Sequence, residues 1–455
     1  MASHSDSASS RVPAEKESIV VPAAAVPSTG ICLRSLSPLG VHTIVVSEDP
    51  FAMSFSSKYC DEAVLVPDPT TDLEMYSKAL LALARREDVR TIVPVREEDA
   101  FVLSKHREAF AEYISTPWPN MEALQRVHDR VRLAAAAETA GVPVPKTTPL
   151  EAVETWDSPS IIKSRYNLLV NEYVDTVPQG ETDRNKTVKH VQTGEVVSVD
   201  ELRTTFGHNP IVQEFISTDE EYMFAALCDH GEPLSTFHHE QIRAPSYTGG
   251  GGVYRESTYL PKLEDTALAL LEELEWHGLA CIEYMRHPET GDFYLTEINP
   301  RMWTSLSANV QMGANFPKYY WQMAMNRTNK INSNYERGVG CHYFKGELMH
   351  VLSLLGEDSA LVERPSLMET LYKILLSCYR QQNFDVFSRD DPWPFIQDIL
   401  TEIDGATPTL FELVELGRRA SRSDRPTHWR KAADTPETKD DRHQLRLSAG
   451  LPSQH

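Results

Sequence analysis

The stretch CIEYMRHPETGDFYLTEINPR, residues 281–301, concentrates side chains suited to metal and phosphate chemistry. Its HPETGD segment favours a turn, so the stretch predicts an antiparallel hairpin. If the turn centres on Thr290, Glu283 lies opposite Glu297, and residues that face each other across two strands share one face of the sheet. Asn299 is two residues further along and shares that face. Because facing carboxylates repel unless a cation separates them, and Mg²⁺ prefers oxygen ligands, the hairpin predicts a magnesium site.

The residues that follow the second strand strengthen this prediction. Pro300 ends the strand, and Arg301 comes next to the predicted metal ligands. An arginine beside two carboxylates and a metal suits a site that also holds phosphate oxygens. The alternative is that Glu283 and Glu297 are solvated positions on an exposed face. The run EINPR, followed by an amphipathic helix, favours the site.

Alternating short strands and helices precede this hairpin. The 455 residues suggest roughly three domains. Apolar runs such as SIVVPAAAV and TIVPV alternate with helical spacing, as in Leu73 to Arg86, which predicts a parallel α/β sheet. The turn VPSTG lacks GxGxxG, so a dinucleotide site there is disfavoured. Met121 to Ala140 predicts one long helix that ends at Gly141.

Together these residues resemble the ATP-grasp superfamily, in particular its carbamoyl-phosphate-synthase-like and carboxylate–amine ligase branch. The resemblance covers about Ile19 to Met325 and is carried by Glu283, fourteen residues later EINPR, and the strand-rich region between. It implies an α/β and α+β protein. The expected parts are a disordered leader (1–17), an N-terminal parallel α/β pre-ATP-grasp domain (18–120), an ATP-grasp domain (121–325, with a small subdomain at about 145–215 and a large one at about 216–325), a mostly helical C-terminal region (326–420) and a disordered tail (421–455).

The resemblance also implies roles for single residues. The two facing glutamates and Asn299 would bind two magnesium ions that bridge the β- and γ-phosphates of ATP, and Arg301 would contact the transferred phosphate. Lys163, at the end of SPSIIKS, and Arg130, in VHDRVRL, would reach other phosphate oxygens. The alternative for a lone lysine at a strand end is a solvated side chain.

The segment IVQEFISTDEEYMF matches the hinge strand between the two ATP-gripping subdomains. Glu214 would accept a hydrogen bond from the adenine amino group, and Gln213 on the same strand is grouped with the ATP contacts. Backbone near Phe215 and Ile216 would read the adenine edge, and Glu221 would hold the ribose hydroxyls. The alternative is a half-buried strand followed by an acidic surface bend.

The chain departs from the family after Lys163, where many members carry a glycine-rich loop over the phosphates. Here the segment NLLVNEYVDTVPQGETDRNKTV has one glycine, Gly180. Lys186 belongs to this segment and Lys189 directly follows it, and we expect neither to reach phosphate. The departure leaves open how the γ-phosphate is shielded from water, and whether the chain is an inactive relative.

On the substrate side, YTGGGGVYRES contains four consecutive glycines, which let backbone amides approach an anion or form a flexible lid. We expect Gly250 and Gly251 to border the acceptor site, and Arg243 or Arg255 to clamp a substrate carboxylate. The alternatives are an ordinary loop and surface arginines.

The implied function is an ATP- and Mg²⁺-dependent ligase that activates a small carboxylate as an acyl phosphate and joins it to an amine, with Mn²⁺ as an alternative ion. Other readings are an enzyme of the carbamoyl-phosphate-synthase type that phosphorylates bicarbonate or carbamate, and a non-catalytic ATP-binding protein. A net charge of −22 disfavours nucleic acid and anionic membranes as partners. The six cysteines show no zinc or redox spacing, which suits a cytoplasmic protein. Because members often dimerise, a homodimer is a further expectation.

Overall fold

The computed structural model describes residues 16–195, 197–218, 220–359, 362–385, 387–402 and 430–431. The predicted leader lies outside this part of the chain except for residues 16–17, and the predicted tail except for 430–431. Within the described residues, no helix combines the length and the apolar character needed to cross a membrane.

The chain begins with a parallel sheet, as its alternating pattern predicts. Buried β-branched residues form the two central strands, β1 and β2, and the amphipathic helices pack their apolar sides against them. The order of the first four strands is β3-β2-β1-β4, all parallel. The strands are β1 (Ser18–Val21), β2 (His42–Ser47), β3 (Glu62–Leu65) and β4 (Val89–Ile92); the helices are α1 (Pro27–Leu36), α2 (Leu73–Ala84), α3 (Glu97–Lys105) and α4 (Arg107–Ala111).

The prediction of one helix over Met121 to Ala140 is wrong, because the structure divides it into α5 (Met121–His128) and α6 (Arg130–Thr139). Asp129 between them has extended backbone, with φ −92° and ψ 107°. Its carboxylate accepts a hydrogen bond from the backbone N–H of Val131 at 3.0 Å and pairs with Arg165 at 2.7 Å. The break places Arg130 at the first position of a helix.

Two antiparallel sheets follow. The first has the order β5-β10-β6-β9, and one face packs on α7 through Ile162, Val212 and Phe206. A two-stranded ribbon, β7 and β8, is inserted in it. The elements are β5 (Thr147–Pro149), β6 (Ser160–Lys163), β7 (Leu169–Val170), β8 (Thr182–Asp183), β9 (Val188–Val191), α7 (Val199–Phe206) and β10 (Ile211–Glu214).

The second sheet has six strands in the order β15-β14-β11-β12-β13-β16. Its last strand comes from the C-terminal region that the sequence predicts to be mostly helical. The elements are β11 (Glu221–Asp229), β12 (Glu232–Arg243), β13 (Tyr254–Thr258), α8 (Pro261–Glu273), β14 (Gly278–Arg286), β15 (Phe293–Asn299), α9 (Leu306–Gln311), α10 (Phe316–Ala324), β16 (Gly340–His342), α11 (Phe344–Gly356), α12 (Leu367–Arg380), α13 (Trp393–Glu402) and β17 (Arg430–Lys431), which pairs with β3.

A close backbone contact fixes the six-stranded sheet against the N-terminal part of the chain. Gly278, which opens β14, has φ +100°, and a Cβ there would lie 2.5 Å from the carbonyl oxygen of Pro117. Only glycine fits such an approach. One apolar core joins the two parts and includes Phe101, Trp118 and Trp276. The parallel sheet can therefore present residues to the antiparallel hairpin.

Candidate active site

The predicted pairing within the hairpin is confirmed. In β14 and β15, Glu283 pairs with Glu297, and Cys281 pairs with Asn299. The register then shifts by one residue at Thr296, whose hydroxyl donates to the Glu283 carbonyl at 2.9 Å. The bulge leaves the three oxygen-bearing side chains on one face of the hairpin, because it lies on the turn side of both glutamates.

That face borders a cleft of about 430 Å³ between the two antiparallel sheets. The structure brings most of the predicted site residues together along this cleft, from both sheets, from α6 and from the glycine loop. Those lining it are Arg130, Lys163, Glu221, Gly250, Gly251, Glu283, Glu297, Asn299 and Arg301.

The environment of the Glu283 carboxylate in this cleft differs from that of Glu297. Among the described residues, none donates a hydrogen bond to its carboxylate. Burial, together with the facing charges of Glu297 and Glu221, raises the pKa of Glu283 above its usual value. A carboxylate with no donor, beside two others, fits a divalent cation, which would remove the repulsion.

Glu297 is held in its charged form. Its carboxylate accepts from Arg130 Nη2 at 3.1 Å and from Asn299 Nδ2 at 2.9 Å. Although burial opposes ionisation, Arg130 and Asn299 lower the pKa of Glu297 below its usual value. The pKa values of the two acids are therefore shifted in opposite directions. This is expected for two facing carboxylates when only one of them, Glu297, lies next to a cation.

Arg301 is anchored by Glu97, a residue that the sequence argument missed. Arg301 Nε lies 2.5 Å from a Glu97 oxygen, and its Nη2 donates to Asn299 Oδ1 at 3.2 Å. Glu97 is buried, yet Arg301, His128 and Arg184 lower its pKa to about 2. It opens α3, where a negative charge is favourable. Three successive acids after a strand, Glu97 to Asp99, were the available signal.

Lys163 ends β6 and faces the same cleft. Burial and the nearby guanidinium of Arg130 lower the pKa of Lys163 to about 7, against the opposing charges of Glu297 and Glu283. No carboxylate within the described part of the chain forms an ion pair with its ammonium. A desolvated lysine that lies near a guanidinium and has no carboxylate partner is suited to bind an anion.

The hinge strand needs a correction. Gln213 pairs with Ile161 and Glu214 pairs with Ser160, so the two side chains lie on opposite faces of the sheet, and neither lines the cleft. The structure therefore does not bring the Gln213 and Glu214 side chains into the cleft with the other predicted ATP contacts. The N–H of Phe215 donates to the Pro159 carbonyl at 3.1 Å, so that amide is not free to read a base. Ile216 is buried and outside the cleft lining.

Arg243 and Arg255 also need a correction. Both face inwards towards the C-terminal region and neither lines the cleft. Arg243 forms two hydrogen bonds with Glu347, at 2.6 and 3.0 Å, and Arg255 lies 2.5 Å from Asp385. The side chains in the second pair are 4% and 5% exposed. These are internal ion pairs, which cannot be distinguished from substrate clamps by sequence alone.

We expect Arg255→Met to destabilise the protein by about 3 kcal/mol, because it leaves the buried Asp385 carboxylate unpaired. Urea unfolding measures this. The matched control is Arg286→Met, since both partners of the Arg286–Glu220 pair are 45% exposed and exposed pairs contribute about 0–1 kcal/mol. Equal effects of the two substitutions would contradict the internal role assigned to Arg255.

The cleft is also lined by residues that were not predicted from the sequence. Lys186 lines it, whereas Lys189 does not. Gln241 of β12 lies on the glycine-loop side and accepts a hydrogen bond from Gly252 N–H. Further lining residues that were not predicted include Tyr166, Asn167, Arg184, Asn185 and Thr187.

Comparisons with known proteins agree with this architecture. No family model matches the chain. The D-aspartate ligase of Enterococcus faecium is 24% identical over 238 residues, which cover 48% of this chain and 55% of that protein. The chain thus spans about half the length of this curated relative.

Three solved structures share most of the fold. An ADP complex of N5-carboxyaminoimidazole ribonucleotide synthetase has a TM-score of 0.55 at 16% identity, over 81% of this chain and 98% of that one. The biotin carboxylase domain of Hydrogenobacter thermophilus 2-oxoglutarate carboxylase, bound to MgADP, ADP and bicarbonate, has 0.52 at 16%, over 71% and 72%. The L-amino acid ligase of Bacillus licheniformis has 0.52 at 14%, over 72% and 79%. The chain therefore has the ATP-grasp fold, and the resemblance seen in its sequence is confirmed at that level.

Proposed function

We propose that the protein is an ATP- and Mg²⁺-dependent ligase that activates a carboxylate as an acyl phosphate and joins it to an amine. One observation carries this proposal: the facing pair Glu283 and Glu297 shares a single cleft with Lys163, Arg130 and Arg301. Among the described residues, the Glu283 carboxylate and the Lys163 ammonium have no ion-pair partner. An unpaired carboxylate and an unpaired ammonium in one cleft suit a metal–triphosphate complex. Glu283, Glu297 and Asn299 would hold the magnesium, which neutralises phosphate charge when bound.

The residues of the chain position and stabilise the reacting groups. A carboxylate oxygen of the substrate attacks the γ-phosphorus of ATP, the bond to the β,γ-bridging oxygen breaks, and acyl phosphate and ADP form. Lys163 and Arg301 lie where negative charge accumulates on the transferred phosphoryl group. The amine nitrogen then attacks the acyl carbon, inorganic phosphate leaves, and the nitrogen loses a proton to give the amide. Positioning and fixed charge supply most of the catalysis.

The ionic anchor of Arg301 supports its assignment as a catalytic residue. Glu97 and Asn299 hold the guanidinium from two sides, which fixes its direction before substrate binds. A charge that is already oriented needs little reorganisation during phosphoryl transfer. The N-terminal sheet, which supplies Glu97, thus contributes to the geometry of the cleft.

Glu221 is proposed to hold the ribose hydroxyls. It opens β11 at the cleft, and burial raises the pKa of its carboxyl above the usual value. We expect Glu221→Ala to raise the KM for ATP by roughly 10- to 100-fold with a smaller change in kcat, because a hydrogen bond to a charged group contributes about 1.5–3 kcal/mol. Steady-state kinetics with varied ATP measure this. A fall in kcat at unchanged KM would contradict the ribose role.

Magnesium-dependent ADP release, stimulated by substrate, tests the function. The screen pairs amino acids, D-aspartate among them because of the Enterococcus relative, with small carboxylates and amines. Bicarbonate is a separate arm, since one fold relative was solved with that anion; a carboxylated product or carbamoyl phosphate would favour the bicarbonate alternative. Nucleotide binding without substrate-stimulated ADP release across the panel would favour a non-catalytic ATP-binding protein.

A further inference from the structure

Two positively charged side chains in the cleft have no anionic partner in the part of the chain that the structure describes. Arg130, Arg184 and Arg301 each pair with a glutamate. Lys163 and Lys186 line the same cleft, and the structure pairs neither ammonium with a carboxylate of the described residues. Lys163 has a place in the proposed chemistry, and Lys186 has none so far. Lys186 is exposed and lines the cleft, so its ammonium can contact an anion that is bound there.

The segment that precedes Lys186 lies where the family has its glycine-rich loop, and it is attached to the N-terminal part of the chain. We call residues 165–184 the anchored segment. Leu73 N–H donates to the Gly180 carbonyl at 2.7 Å, and Thr182 N–H donates to Thr70 O at 3.0 Å. Tyr173 packs edge-on against Phe101, with ring centroids 5.8 Å apart. These contacts hold in place a segment that a run of glycines would leave mobile.

An ion pair fixes the end of the anchored segment next to Lys186. Arg184 Nε donates to Glu98 Oε1 at 2.9 Å, and its Nη2 binds the other oxygen, giving a bidentate pair. Glu98 directly follows Glu97, the anchor of Arg301. The first turn of α3 thus holds cationic residues from two walls of the cleft.

The residues after Arg184 turn sharply and then enter β9. Asn185 Oδ1 accepts from Thr187 N–H at 3.0 Å, and Asn185 Nδ2 donates to the Thr205 carbonyl at 3.0 Å. In β9, Val188 pairs with Lys163 and lines the cleft, whereas Lys189 pairs with Ile162 on the opposite face. Two lysines three residues apart therefore differ in their access to the cleft.

We propose that Lys186 binds the phosphates of ATP in place of the missing glycine-rich loop, and that the Arg184–Glu98 pair positions it. This inference rests on the proposed function, since it takes the cleft to be the nucleotide site. Lys186 contributes a flexible point charge, which follows phosphate oxygens more easily than a guanidinium does. Because the anchored segment is already ordered, little backbone entropy is lost when nucleotide binds.

Calorimetric titration with MgATP and MgADP tests the lysine. Lys186→Met should weaken binding roughly tenfold or more, as expected for a lost charge-assisted hydrogen bond. Lys189→Met is the matched control and should bind within about twofold of the wild type, since it lies on the other face. Wild-type affinity in Lys186→Met would overturn the inference. If the wild-type protein bound neither nucleotide, the proposed function itself would fail.

A double-mutant cycle tests the positioning pair. Glu98→Gln keeps the shape of the side chain and removes its charge, so it should weaken MgATP binding several-fold in the wild-type background. In the Lys186→Met background it should add little, because the residue being positioned is gone. Additive losses would show that Glu98 acts on binding independently of Lys186 and would overturn the positioning role. If Glu98→Gln does not fold, the comparison of Lys186→Met with Lys189→Met still decides on the lysine.

Discussion

Glu283→Gln is expected to reduce ADP release about a thousandfold while leaving the melting temperature unchanged or higher. The loss of turnover follows from removing one of two carboxylates that hold the metal on the phosphates. Stability is retained because the Glu283 carboxylate has no hydrogen-bond donor among the described residues and is repelled by Glu297 and Glu221. Glutamine keeps the shape and removes the repulsion.

Coupled ADP assays and thermal melts without nucleotide measure the two effects. Glu289→Gln is the matched control, because Glu289 lies exposed in the turn of the same hairpin. It should change neither quantity. If Glu283→Gln retained turnover, the metal assignment would be wrong; if it melted well below the wild type, the carboxylate would have a structural partner that this account denies.

Lys163→Met is expected to lower kcat/KM for ATP by about 10²- to 10³-fold, comparable to removing one preorganised donor from an oxyanion site. The ammonium is desolvated, and burial and Arg130 lower its pKa to about 7. The positive charge of Lys163, which burial disfavours in the free protein, becomes favourable next to the negatively charged triphosphate of ATP. Methionine keeps most of the volume, so the free energy of unfolding should not fall.

Single-turnover kinetics and urea unfolding separate these effects. Lys262→Met is the control, since Lys262 is exposed and pairs with Asp292 near the turn of the hairpin. That variant should match the wild type in both assays. A Lys163→Met enzyme with unchanged kcat/KM would remove Lys163 from the proposed machinery, and a loss confined to stability would make it a structural residue.

The most local part of the site was predictable from sequence. The pairing of Glu283 with Glu297 follows from a turn signal and the two-residue period of a strand, both contained in 21 residues. The bulge at Thr296 has no comparable signal. It does not disturb the pairing, because it lies between the glutamates and the turn.

Contacts between distant residues were not predictable in this way. Glu97 lies 204 positions before Arg301, and nothing in the local pattern links them. The same holds for Asp129, where local propensity favours a continuous helix and the pair with Arg165 favours a break. Tertiary contacts decided both cases.

The hinge and the two arginines show a related limit. Alternation along a strand separates Gln213 from Glu214, but the sheet face on which each side chain lies depends on the pairing of β10 with β6. Arg243 and Arg255 flank a glycine run, and their carboxylate partners, Glu347 and Asp385, come from a region more than 100 residues later. The residue types predicted that the two arginines bind carboxylates, but they did not predict which carboxylates these are.

Anomalous diffraction from crystals grown with Mn²⁺ and a non-hydrolysable ATP analogue tests the central claim most directly. We predict that manganese lies between Glu283 and Glu297, in contact with Asn299 and with phosphate oxygens of the analogue. A nucleotide bound in the cleft with its metal held by other residues would contradict the metal site. A cleft that stays empty at saturating nucleotide would contradict the ligase itself.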